Sequence, residues 1–129
     1  MNDVKELVNR FFNGEPVKVV DISGFGDFYE EGIWTLVFLT LMEFYSDDSN
    51  LEKFNECNTK EQHLFIESIM DGRLSDPLGA PYQLDGISGM AFSGAKNAVG
   101  MIIINGLEKA YELAGKDRII EIKYKTNKI

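Results

Sequence analysis

The chain has 129 residues, of which 44% are hydrophobic and 26% charged, and its 21 acidic and 13 basic side chains leave a net charge of −8. This composition excludes global disorder and suits one globular domain spanning residues 1–129, which buries roughly two-thirds of its unfolded surface. The charge disfavours nucleic acid, whose phosphates it repels, and acidic membrane surfaces. It favours a basic protein or metal ions as partners.

Residues 3–13 read as an amphipathic helix. Asp3 and Glu6 have the spacing of a capping box, and Val4, Leu7, Val8 and Phe11 fall on one face. Gly14 and Pro16 stop the helix. Val17–Ile22 reads as a short strand, and Ser23-Gly24-Phe25-Gly26 as a break.

Residues 27–45 carry conflicting signals. Asp27 and Glu30 have capping-box spacing, whereas Ile33, Trp34, Thr35, Val37 and Phe38 favour a strand. The length of the run favours a helix, apolar nearly all round and therefore central to the core. Residues 46–50 read as a polar turn and 51–58 as a short helix. Thr59 is the expected cap of the next helix, with Gln62 at its third position. Leu64, Phe65, Ile69 and Met70 form the apolar side of that helix, and Gly72 ends it.

Residues 73–92 read as loop, with a hairpin turn at Asp85-Gly86. One helix is then expected from Ser93 to Ala114, with Gly115 as its C-terminal cap. Residues 118–125 alternate as a half-buried strand. The expected fold is α+β, helix-dominated, with a small sheet whose strands lie near both ends of the chain and can pair with each other.

The acidity is concentrated. Residues 21–61 hold 10 acidic and 2 basic side chains, and so match the whole net charge of −8. Asp48, Glu52 and Glu56 are spaced four apart, as are Glu43 and Asp47. On a helix such residues stack one above the other and repel by a few tenths of a kcal/mol per pair. A solvated face is the plain reading. The sharper one is a surface aimed at Lys and Arg of a partner, extended by Asp27, Glu30 and Glu31 where these fold near it.

Other chemistries have less support. The single cysteine, Cys57, allows no internal disulfide, which fits a reducing cytoplasm. Cys57 and His63 do not share a helical face, so a thiol–histidine pair is not expected. One Cys and one His cannot supply a structural zinc site, the loop around Asp21–Glu31 lacks calcium-loop spacing, and no cofactor is implied. Ser93-Gly94-Ala95-Lys96 offers a weak phosphate cradle if a helix begins there. Its glycines fit close helix packing better. No signal-peptide pattern opens the sequence, and the apolar run 33–45 is too short to span a bilayer.

In size, acidity and lack of catalytic motifs the whole chain resembles the small cytoplasmic immunity proteins of bacterial toxin systems, including those of contact-dependent growth inhibition. The resemblance lies in this profile and not in a motif, so it transfers no residue roles. It implies a tight stoichiometric complex with a basic toxin domain, often a nuclease. The free protein is then a monomer or small homo-oligomer that binds neither nucleic acid nor membrane. Carboxylates of Asp27, Glu30, Glu31, Glu43, Asp47, Asp48, Glu52 and Glu56 are the expected contacts, with Trp34, Tyr29 or Tyr45 as aromatic anchors where exposed. Two alternatives remain open. One is a small enzyme or enzyme subunit using carboxylates in a pocket; the other is a homo-oligomeric adaptor with an exposed apolar patch on 33–45.

Overall fold

The structure, a computed structural model, describes residues 2–21, 27–75 and 89–123, with side chains for 3–21, 33–72, 92–115 and 117–123. The elements run α1 (Asn2–Phe12), β1 (Val17–Val20), α2 (Asp27–Tyr45), α3 (Ser49–Glu56), α4 (Thr59–Ser75), α5 (Gly89–Asn105), α6 (Leu107–Ala114), a 3-10 turn (Lys116–Arg118) and β2 (Ile119–Ile122). The fold is α+β and helix-dominated, with one two-stranded antiparallel sheet. Among the described residues no helix is long and apolar enough to cross a membrane.

The ambiguous segment is a helix, α2, and the rest of the fold is arranged around it. Every residue from Ile33 to Leu41 is buried, including Thr35 and Thr40. A helix apolar all round is stable only when neighbours cover it on all sides. Here α1, α3, α4 and α5 all pack on it. The β-branched residues are outvoted by this burial, since each fully buried large apolar side chain contributes roughly 1.5–3 kcal/mol. Thr40 settles its hydroxyl by donating to the Leu36 carbonyl at 2.7 Å. Phe38 sits between Phe11 of α1 and Trp34, with ring centroids at 4.7 and 5.2 Å.

Helix α1 begins at Asn2, one residue before the expected cap, so that Asp3 lies in the first turn. Its Val4, Val8 and Phe11 are buried as expected. At the start of α4 the cap also shifts by one. Asn58 Oδ1 accepts from the Glu61 amide and Glu61 Oε1 accepts from the Asn58 amide, both at 2.9 Å. This reciprocal capping box replaces the one expected at Thr59 and Gln62. Gln62 instead donates to the Phe54 carbonyl at 3.1 Å. Helix α4 runs through Gly72 to Ser75, because one glycine costs only about 1 kcal/mol inside a helix. Ile66 and Met70 are buried, but Leu64, expected on the apolar side, is 54% exposed.

The expected single helix 93–114 is two helices. Helix α5 starts earlier, at Gly89, and ends at Asn105; Gly106 takes φ +86° and α6 begins at Leu107. Gly115 does cap α6, with φ +93° and its amide donating to the Tyr111 and Glu112 carbonyls. The hairpin expected at Asp85-Gly86 lies outside the described residues, as do Ile22 and residues 124–125 of the expected strands. The two strands do pair, Val17 with Ile122 and Val20 with Ile119. Tyr111 of α6 donates to the Lys18 carbonyl at 2.7 Å and so ties α6 to β1.

Candidate functional site

Of the expected contact residues, the five with described side chains, Glu43, Asp47, Asp48, Glu52 and Glu56, lie at the corner where α2 turns into α3. The turn is held by side chains acting on backbone. Asp47 Oδ1 accepts from the Ser49 amide at 2.9 Å and from the Ser49 hydroxyl at 2.7 Å. Asn50 donates through Nδ2 to the Phe44 carbonyl at 2.9 Å, and Ser46 Oγ donates to the Glu43 carbonyl at 2.6 Å. The Ser49 bonds hold the Asp47 carboxyl below its ordinary value of 3.8.

Asp48 precedes α3 with helical dihedrals, φ −60° and ψ −25°. The stripe Asp48, Glu52, Glu56 is therefore continuous, one carboxylate per turn at about 6 Å spacing. Its outward direction follows from Phe54. That residue is two positions from Glu52 and from Glu56, roughly 200° round the helix, and is buried. Phe54 packs edge-on against Phe44 of α2 and Phe65 of α4, with centroids at 5.7 and 6.2 Å. Sinking one face of α3 into this aromatic cluster turns the carboxylates to solvent. Glu43, Asp47, Asp48, Glu52 and Glu56 are all exposed. None of the ion pairs among the described residues involves Asp48, Glu52 or Glu56.

Beside this corner lies a groove of about 390 Å³ between α1 and the end of α2. Val4, Val8, Leu41, Met42 and Tyr45 give it apolar walls. Lys5 and Asn9 stand on the α1 rim, and Ser46 and Asp48 on the other. The first carboxylate of the stripe therefore also borders the groove. Tyr45 is buried apart from its edge, and its hydroxyl titrates above the ordinary 10.0, chiefly through burial and secondarily through the charge of Asp3.

The remaining candidates fall elsewhere. Asp27, Glu30 and Glu31 occupy the opposite end of α2. At 1.5 Å per residue they stand roughly 18 Å or more along its axis from Glu43. Glu43, Asp47, Asp48, Glu52 and Glu56 thus form the corner without them, and the side chains of Asp27, Glu30 and Glu31 lie outside the described residues. Trp34 is 1% exposed and Tyr45 6%, so neither is an exposed anchor. The Tyr29 side chain lies outside the described residues.

Ser93–Lys96 sits inside α5 and not at its start, so the phosphate cradle is not formed there. Lys96 instead pairs with Glu67 of α4 at 2.7 Å. Cys57 donates its thiol to the Lys53 carbonyl at 3.2 Å, while His63 points outward. Among the described residues no group of three His, Cys, Asp or Glu side chains could hold a metal ion.

The acidic stripe was readable from its spacing; the groove was not. Val4 and Val8 read as the apolar face of α1, and Met42 as part of the apolar run 33–45. No protein-family model matches the chain, and no curated protein or solved structure does either.

Proposed function

We propose that this chain is a cytoplasmic inhibitor that neutralises a basic toxin domain, such as a nuclease, by forming a tight stoichiometric complex through its acidic corner. One observation carries the reading. Asp48, Glu52 and Glu56 stand exposed in a stripe with no ion pair among the described residues. Their mutual repulsion is a small cost in the free protein, and arriving Lys or Arg side chains relieve it. A net charge of −8 adds long-range attraction, which raises the association rate with a cationic partner.

The alternatives find less support. Asp48 is the one carboxylate among the residues lining the described groove, so that groove offers no pair of carboxylates. Between Ile33 and Tyr45 the exposed side chains are Met42, at 43%, and Glu43, too little for an apolar oligomer face.

The test begins with native mass spectrometry of the chain purified from its host at moderate salt. One basic polypeptide at fixed stoichiometry is expected, and the chain should inhibit its activity. Reversing Asp48, Glu52 and Glu56 to Lys should slow association and flatten its salt dependence. Binding unchanged by reversal of all five corner carboxylates overturns the electrostatic mechanism.

A further inference from the structure

The acidic stripe accounts for attraction but not for a tight complex. Exposed charge pairs are worth about 0–1 kcal/mol each, and affinity in protein complexes is set mainly by a few desolvated anchors. The groove between α1 and α2 supplies a place for one. We infer that it takes a large apolar side chain of the partner, carried on a segment that lays its Lys or Arg side chains along Asp48, Glu52 and Glu56. The inference rests on the proposed inhibitor function for the sign of the partner's charge.

Three features support it. The groove is walled by Val4, Val8, Leu41 and Tyr45, all nearly buried, with Met42 open at 43%. A methionine wall is adaptable, because an unbranched thioether can reshape around what it meets. The rims differ in charge: Lys5 stands on the α1 side and Asp48 on the other. The charge of Asp3 on α1 also reaches Tyr45, so carboxylates flank the groove at both its α1 and α3 sides and favour a cationic segment. The spacing also matches. Carboxylates about 6 Å apart face basic residues at every fourth position of a helix or every second position of a strand. Charge argues against a second copy as occupant, since it would bring a further −8 to an acidic face.

The experiment uses the full chain and two synthetic helical peptides of equal charge. Both carry Lys at every fourth position; one ends in leucine at the anchor position and the other in serine. The leucine peptide is expected to bind about tenfold tighter or better, the equivalent of burying one large apolar side chain. That preference should persist as salt weakens both peptides together. Methyl signals of Val8, Leu41 and Met42 should shift with the leucine peptide alone. Met42→Gln, at an exposed position that leaves the core intact, should remove most of the preference while leaving the serine peptide unaffected.

Equal affinity of the two peptides, with shifts confined to Asp48, Glu52 and Glu56, overturns the anchor and leaves the acidic surface standing. Failure of both peptides at low salt overturns the anchor and the electrostatic reading together. Concentration-dependent shifts at Val8 and Leu41 in the chain alone identify a second copy as the occupant, which also overturns it.

Discussion

Trp34 Nε1 donates to the carbonyl of Val20 at 2.9 Å inside the core, so the central helix is bonded directly to the end of β1. The indole fills space against Phe38 and satisfies a backbone acceptor that water does not reach.

Trp34→Phe leaves the Val20 carbonyl without that donor and opens a void in the core. The expected loss of stability is about 2–4 kcal/mol, from the unsatisfied acceptor and the cavity together. Urea denaturation measures it. A loss under about 1 kcal/mol would mean that the carbonyl finds another partner.

Three glycines should respond differently to alanine. At Gly72 an added Cβ meets nothing within 4 Å, and at Gly100 it meets only Ile66 Cδ1 at 3.6 Å, an ordinary contact. Both lie inside helices, so Gly72→Ala and Gly100→Ala should each stabilise by roughly 0.5–1 kcal/mol. Gly106 holds φ +86°, and Gly106→Ala should destabilise by about 1–2 kcal/mol despite open space around it. Thermal unfolding of the three variants gives the signs directly.

Tyr111 gives the fold a high-pH limit. Burial pushes its phenol well above the ordinary 10.0, and only the neutral form can donate to the Lys18 carbonyl. Below pH 10 the phenol is neutral in folded and unfolded chains alike, and its contribution is fully present. Above pH 10 the unfolded chain ionises first, so stability falls as pH rises. Tyr111→Phe should cost about 1 kcal/mol at neutral pH and make the alkaline decline shallower. Some decline should remain, because Tyr45 is shifted in the same direction. Denaturation midpoints from neutral to strongly alkaline pH test both statements.

Asp47 acts at the other end of the scale. Its carboxyl is lowered by the hydroxyl and amide of Ser49, so its contribution is present above pH 3.8 and is lost as pH falls through the lower folded value. Ser49→Ala should bring the carboxyl back toward 3.8, as read by carbon NMR titration. An unmoved titration would mean that the amide alone holds it.

The capping box of α4 separates Asn58 from Thr59. Asn58→Ala should cost about 1 kcal/mol, and Thr59→Ala within about 0.5 kcal/mol of nothing. The reverse ranking would place the cap at Thr59.

Local signals in the sequence were readable in part, for Gly72 does not end α4 and Asn58, not Thr59, caps it. Gly115 stops α6 because a left-handed residue follows the helix, and Phe54 opposite Glu52 and Glu56 turns the stripe outward. Gly106 was hidden, since apolar spacing continues across it from Ile103 to Leu107 and Ala110. The helical state of residues 33–45 was undecided by propensity, because Val37 and Phe38 suit a strand as well. Coverage of α2 by four other helices decides it, and one of them, α5, lies more than 40 residues further along the chain. The groove was illegible for the same reason: Val4 and Val8 become its wall only when α1 lies against Leu41 and Met42.

The small sheet joins parts of the chain that are far apart in sequence. The Arg118 guanidinium donates to the Asp21 carbonyl across 97 positions, and Tyr111 reaches Lys18 across 93. Closing a loop of that length costs on the order of 4 kcal/mol in entropy before any pairing forms. The helices around α2 make mostly shorter closures and can assemble first, bringing β1 and β2 within reach. The sheet then acts as a clasp on an already folded body. Weakening it should leave the folding rate nearly unchanged and quicken unfolding, so it governs how long each molecule stays folded more than how fast it gets there.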